Sequence, residues 1–187
     1  AIYRAFVEAI LARFSTAPHP TLVFSPRDRE AEFQRFLSSA SCFSRWTLQP
    51  QADGDLGERM YSFFEQTFAA RYDCAILIGT DSPTLPQSYV HHTFQLLQHH
   101  EVVLGPTEDG GYYLVAAREQ VPDIFQSVSW STSAVWQQTI AHLQRQQTRF
   151  AILPTWYDVD TAHDLSRLQN DVDKLLASLV QSDEELT

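Results

Sequence analysis

Lysine is almost absent: of 13 basic side chains only Lys174 is a lysine, and 23 acidic residues stand against them. The formal charge of −10 argues against a sequence-independent nucleic-acid binder, which needs cations to displace counterions from phosphates. It leaves room for a small anionic ligand held through a divalent metal, because the metal brings its own charge. Cysteine is scarce as well. Cys42 and Cys74 form no C-x-x-C pair and no zinc spacing, which predicts two free, buried thiols in a reducing compartment. No apolar run approaches the ~18 residues of a membrane span and no signal peptide precedes the first helical segment, so a soluble, cytoplasmic chain is expected. G-x-S-x-G and G-x-G-x-x-G are both missing, which removes the hydrolase elbow and the Rossmann dinucleotide fingerprint.

What is present is a well-supplied core. Of the 187 residues 44% are hydrophobic, with 12 Phe, 7 Tyr and 4 Trp, which suits one globular domain over residues 1–180 and a frayed tail at 181–187. Residues 1–14 carry Ile2, Phe6, Ile10 and Phe14 at helical spacing, and Pro18 and Pro20 forbid continuation. Strands are expected at 21–25, 43–49 (stopped by Pro50), 74–79, 101–106, 111–117 and 150–154. Helices are expected at 27–39, 58–71, 87–99, 133–146 and 162–179. The run CAILIG at 74–79 is uniformly apolar, as for a strand covered on both faces. Strands alternating with helices predict a Rossmann-like three-layer α/β/α sandwich with a mostly parallel sheet.

Ligands in open α/β sheets bind beyond the carboxyl ends of the strands, which singles out three loops. The first is Gly79-Thr80-Asp81-Ser82-Pro83, where Asp81 offers a hard oxygen ligand suited to Mg²⁺ or Mn²⁺. Taken alone, Asp81 also reads as a helix cap or Asx turn. The second is 107–111 (TEDGG), whose glycines Gly110 and Gly111 allow close approach of a ligand. By itself it reads as a tight hairpin turn. The third is 157–161 (YDVDT): Asp158 and Asp160 share a face if the segment is extended and separate if it turns. Thr161 or Asp160 is the N-cap of the last helix. The four histidines at 91, 92, 99 and 100 read as a solvated face.

Five motifs in order carry a resemblance. They are Gly54-Asp55-Leu56-Gly57-Glu58-Arg59-Met60, Ile78-Gly79-Thr80-Asp81-Ser82-Pro83, Leu104-Gly105-Pro106 with Asp109-Gly110-Gly111-Tyr112-Tyr113-Leu114, Trp130-Ser131-Thr132, and Tyr157-Asp158-Val159-Asp160-Thr161 with Asp164-Leu165. Across essentially the whole chain this resembles a bacterial GT-A-like glycosyltransferase family, often labelled as of arsenosugar biosynthesis. That family lies within the nucleotide-diphospho-sugar transferase superfamily. More distantly, the chain is similar to the guanylyltransferases that activate phospholactate or molybdopterin.

The resemblance implies a catalytic site made of Asp81, Asp109 and Asp160, with Asp81 and Asp160 as ligands of Mg²⁺ or Mn²⁺ and Asp158 as the lesser substitute for Asp160. It implies substrate contacts from Gly54, Gly57 and Arg59, from Thr80 and Ser82, and from Gly110, Gly111, Trp130, Ser131 and Thr132. The implied reaction is transfer of a sugar from a nucleotide-diphospho-sugar. Nucleotidyl transfer from an NTP to a phosphorylated acceptor, or nucleotide binding without catalysis, are the alternatives. Relatives begin with a strand and a Gly-rich loop bearing Lys and Arg, which nothing here matches. The expectation is therefore an N-terminally truncated chain lacking one strand in mid-sheet, unstable or inactive as it stands.

Overall fold

The computed structural model describes residues 2–121 and 123–184, with side chains through residue 173. In chain order the elements are α1 (Ile2–Arg13), β1 (Thr21–Phe24), α2 (Glu30–Leu37), β2 (Thr47–Pro50), α3 (Leu56–Ala69) and β3 (Cys74–Ile78). Then follow α4 (Gln87–Leu96), β4 (Val102–Pro106), β5 (Tyr112–Arg118), α5 (Val135–Arg145), β6 (Phe150–Ile152) and α6 (Ala162–Glu184). Two short 3₁₀ turns, Arg27–Arg29 and Ser41–Phe43, precede α2 and β2.

The larger sheet has the order β3-β5-β4-β6. β3, β4 and β6 run in one direction, and β5 lies antiparallel between β3 and β4. The expected parallel character holds, with β5 as the exception because the short loop after β4 brings the chain straight back as a hairpin. β1 and β2 pair in parallel as a separate two-stranded sheet, so the strands fall into two ladders, not one.

Side-chain alternation along the central strands builds the two faces. Val103, Leu114 and Ala116 point to a cluster with Ile10 of α1, Phe14 just beyond its end and Val90 of α4. Val102, Leu104, Val115 and Ala117 point the other way, to Met60 and Phe64 of α3 and Leu143 of α5. This is the expected three-layer sandwich. α1 ties the two sheets together, because Ile10 and Phe14 pack on the larger one while Leu11 joins Leu22, Leu37 and Phe43 beside the smaller.

Several element boundaries differ from expectation, those of β2, α3 and α6 among them. β2 begins at Thr47 and includes Pro50, which pairs opposite Phe24 while Gln51 supplies the next backbone donor to the Phe24 carbonyl at 2.8 Å. A proline fits there because an edge strand need not donate at every position. α3 starts two residues early through a capping box: the Asp55 carboxylate accepts from the Glu58 amide and the Glu58 carboxylate from the Asp55 amide. Such a reciprocal cap satisfies two otherwise orphaned donors. α6 runs on to Glu184, past the expected end at 179; residues 185–187 of the expected tail lie outside those described. No helix among the described residues is long and apolar enough to cross a membrane.

Candidate functional site

The carboxyl end of β3 continues one residue past the strand, where the Gly79 amide donates to the Tyr113 carbonyl at 3.0 Å. The chain then turns, and the Asp81 carboxylate folds back so closely that a Cβ on Gly79 would lie 2.4 Å from Asp81 Oδ1. Asp81 is no helix cap: α4 starts after Pro86 with no side-chain cap. Ser82, almost fully buried, donates from its hydroxyl to Asp158 Oδ1 at 3.2 Å. The Val159 amide donates to the Asp81 carbonyl at 2.9 Å. These two bonds join the first loop to the third. Thr80 Oγ1 is hydrogen-bonded to the Tyr3 hydroxyl of α1 at 2.7 Å.

The third loop is extended. Tyr157 and Val159 are buried against Phe6, so Asp158 and Asp160 share the opposite face, as alternation requires. Thr161 is the N-cap of α6: its hydroxyl accepts from the Asp164 amide, and the Asp164 carboxylate accepts from the Thr161 amide and hydroxyl. The cap is thus made by Thr161 with Asp164, and not by the Asp160 side chain.

The second loop is the tight turn that its Asp-Gly sequence suggests. The Thr107 amide donates to the Gly111 carbonyl across the turn, and Asp109 Oδ1 accepts from the Thr107 hydroxyl and the Gly111 amide. Gly110 has φ 96°, a left-handed conformation favourable to glycine. A Cβ on Gly110 would sit 2.6 Å from the Ser133 carbonyl oxygen. The side of Gly110 on which a side chain would stand therefore faces the backbone before α5. The Gly110 carbonyl also accepts from the Trp136 amide at 2.9 Å, which docks the loop on α5.

The three loops bring four carboxylates together. Oxygens of Asp109, Asp158 and Asp160 lie within 4.8 Å of one another, an all-oxygen set able to hold a metal ion. Asp81 stands outside that trio but within its field. Burial, then the charges of Asp160 and Asp109, raise its pKa above the ordinary carboxylate range, against a lowering backbone hydrogen bond. Asp158 is pushed up to about 7 by burial first and then by the charges of Asp81, Asp109 and Asp160, with the Ser82 hydrogen bond opposing. Each shift has the sign that desolvation and like-charge repulsion require. Asp158 is thus a full member of the cluster, where the sequence reading ranked it below Asp160. The histidines contribute nothing to it: the metal-capable set among the described residues is carboxylate alone.

Of the remaining expected contacts, Gly57, Trp130, Arg59 and Thr132 touch or bond to other parts of the protein. Gly57 is buried, and a Cβ there would meet Trp130 Nε1 at 2.4 Å and the Phe125 carbonyl oxygen at 2.6 Å. Trp130 packs edge-on against Tyr112 and stacks near Phe125. Arg59 donates to the Gly54 carbonyl and to Gln51 Oε1, closing its own loop. Gly54 has φ 112° at that turn. Thr132 donates to the Ser129 carbonyl, and Ser131 is exposed with φ 61°. Sequence reasoning gave no role to Arg167 and Glu108, which form an ion pair beside the acidic loops, or to Tyr157, whose ring lies under the Arg167 guanidinium.

The fold is shared with solved structures. A Desulfovibrio desulfuricans G20 protein, provisionally described as a nucleotide-diphospho-sugar transferase, is 31% identical and superimposes with a TM-score of 0.75 over 86% of this chain and 69% of its own. The molybdopterin-guanine dinucleotide biosynthesis protein A of Archaeoglobus fulgidus is 11% identical, with a TM-score of 0.59 over 90% of this chain and 86% of its own, a likeness of fold alone. No curated protein matches in sequence. With residues 11–132 matching the model of DUF2064, described as uncharacterized proteins conserved in bacteria, the chain belongs to that family and carries a Rossmann-like fold of the nucleotide-diphospho-sugar transferase type.

Proposed function

We propose that this chain is a metal-dependent transferase whose donor is a nucleotide-diphospho-sugar. The observation that carries the reading is the convergence of Asp81, Asp109, Asp158 and Asp160 at the carboxyl edge of the sheet. The resemblance to the Desulfovibrio desulfuricans structure supports it.

The donor set fits a hard divalent cation, Mg²⁺ or Mn²⁺: it is all carboxylate oxygen, and burial, with the repulsion of its neighbours, pushes Asp158 toward protonation. Asp109, Asp158 and Asp160 would hold the cation, with Asp81 beside them. Such a cation, when bound, neutralises charge developing on a leaving nucleoside diphosphate. The chain's own residues then set geometry and protonation. Ser82 orients Asp158 through its hydroxyl. Thr107 and Gly111 both bond to Asp109 Oδ1, so Oδ2 keeps its lone pairs for an acceptor hydroxyl or the cation. Thr161 and Asp164 cap α6 and leave Asp160 available.

The test is a thermal-shift series with Mn²⁺ against nucleotide sugars, nucleoside diphosphates and NTPs, because a ligand bound only by the native state raises the melting temperature. One nucleotide sugar should stabilise the chain only with Mn²⁺, and Asp81→Asn should lose the shift. Stabilisation by NTPs alone would replace sugar transfer with nucleotidyl transfer. No metal-dependent shift with any ligand would refute the proposal.

A further inference from the structure

The acidic loops are braced from behind by one arginine of α6. Arg167 Nη1 and Nη2 donate to the two carboxylate oxygens of Glu108, at 2.7 and 3.0 Å. The same guanidinium lies over the ring of Tyr157, 3.9 Å from its centroid. Glu108 precedes Asp109, and Tyr157 precedes Asp158. One side chain therefore grips both loops that supply the metal-capable trio. Tyr157 is fixed at its far end as well: its hydroxyl donates to Asp171 Oδ2 at 2.6 Å and accepts from Thr84 Oγ1 at 3.3 Å. The backbones leading into the two loops meet at Trp156, whose carbonyl accepts from the Glu108 amide at 3.2 Å and whose amide donates to the Pro106 carbonyl at 3.0 Å.

The brace has something to resist. Three carboxylates with oxygens within 4.8 Å of one another repel, and their repulsion acts to part the loops that carry them. An ion pair as exposed as Arg167–Glu108 adds little to global stability. Its two-point geometry, which a guanidinium makes and an ammonium does not, fixes direction as well as distance.

We propose that Arg167 is a positioning residue for the acidic cluster, holding Asp109 in register with Asp158 and Asp160 by gripping Glu108 and covering Tyr157. The inference rests on the metal-dependent reading above for its consequence, but not for its geometry.

Simple electrostatics and positioning predict opposite signs. Removing a cation near an acidic cluster should tighten the binding of Mn²⁺ by reducing repulsion, whereas loss of register should weaken it. The experiment titrates Mn²⁺ alone into the wild type, Arg167→Met and Arg167→Lys, read by the electron paramagnetic resonance signal of the free ion. Positioning predicts at least tenfold weaker binding in Arg167→Met. It predicts weaker binding in Arg167→Lys too, because a point charge does not restore the fork. Unchanged or tighter binding in Arg167→Met, or full recovery in Arg167→Lys, would overturn the proposal.

Amide exchange in the metal-free protein supplies a second readout. Gly110 and Gly111 should exchange faster in both variants while α3 and β4 keep their wild-type rates. Unaltered exchange in the loop would overturn the proposal. If the wild type binds no Mn²⁺, the metal reading fails, and the exchange result alone decides the role of Arg167.

Discussion

Replacing Asp158 by asparagine should stabilise the metal-free protein, although it removes a member of the proposed site. In the native state Asp158 is raised from the ordinary 3.8 to about 7, so folding favours its protonated form. A group with a raised native pKa leaves stability intact below its unfolded value and costs stability as pH climbs through the native value. The penalty thus begins to grow near pH 4 and is complete above about pH 7. A rise of this size would amount to about 4 kcal/mol in full. Asp158 is only half-buried, and water screens its three carboxylate neighbours, so we expect about 1–2 kcal/mol. For a chain of this length that is a melting-temperature gain of roughly 3–6 °C at pH 8. Asparagine retains the Oδ1 that accepts from Ser82, so the packing is conserved. Melting curves at pH 3.5, 5 and 8, each with and without Mn²⁺, form the assay. The gain should be largest at pH 8, shrink at pH 5 and vanish at pH 3.5, and Mn²⁺ should stabilise the wild type but not the variant. A variant that melts at or below wild type at pH 8 without metal would refute the electrostatic account of the cluster.

Two further outcomes follow from the packing. Gly57→Ala gains about 1 kcal/mol of helix propensity but sets a Cβ 2.6 Å from the Phe125 carbonyl oxygen, which is backbone, and 2.4 Å from Trp130 Nε1. Overpacking should win by about 1–3 kcal/mol, seen as a lower melting temperature with a shifted Trp130 emission; an unchanged melt would contradict it. Against the expectation of two buried thiols, Cys42 is exposed, whereas Cys74 is partly buried with its thiol pKa raised by burial and then by the charge of Asp73. Because the thiolate is the reactive form, Ellman's reagent at pH 8 should label Cys42 first, and Cys42→Ser should remove the fast phase.

Periodicity and residue type, which are local, determined a large part of this protein. The apolar run at 74–79 gave β3 its place, the prolines at 18 and 20 ended α1, and the helical spacing of Met60, Phe64 and Phe68 marked α3. The positions of Asp81, Asp109, Asp158 and Asp160 on three loops that each follow a strand were also legible, because the carboxyl edge of an α/β sheet is where such loops gather. The tertiary structure alone decided which carboxylates meet and what each glycine faces. Asp158 joins the cluster because burial of Tyr157 and Val159 turns its side of the loop toward the site. Gly57 and Gly110 lie against Trp130 and Ser133, partners far away in sequence that no short motif encodes. The brace of Arg167 on Glu108 and Tyr157 is likewise a meeting of distant segments. Local rules set elements and caps over a few residues, whereas the spacing and protonation of charged oxygens depend on distances that only the packed chain defines.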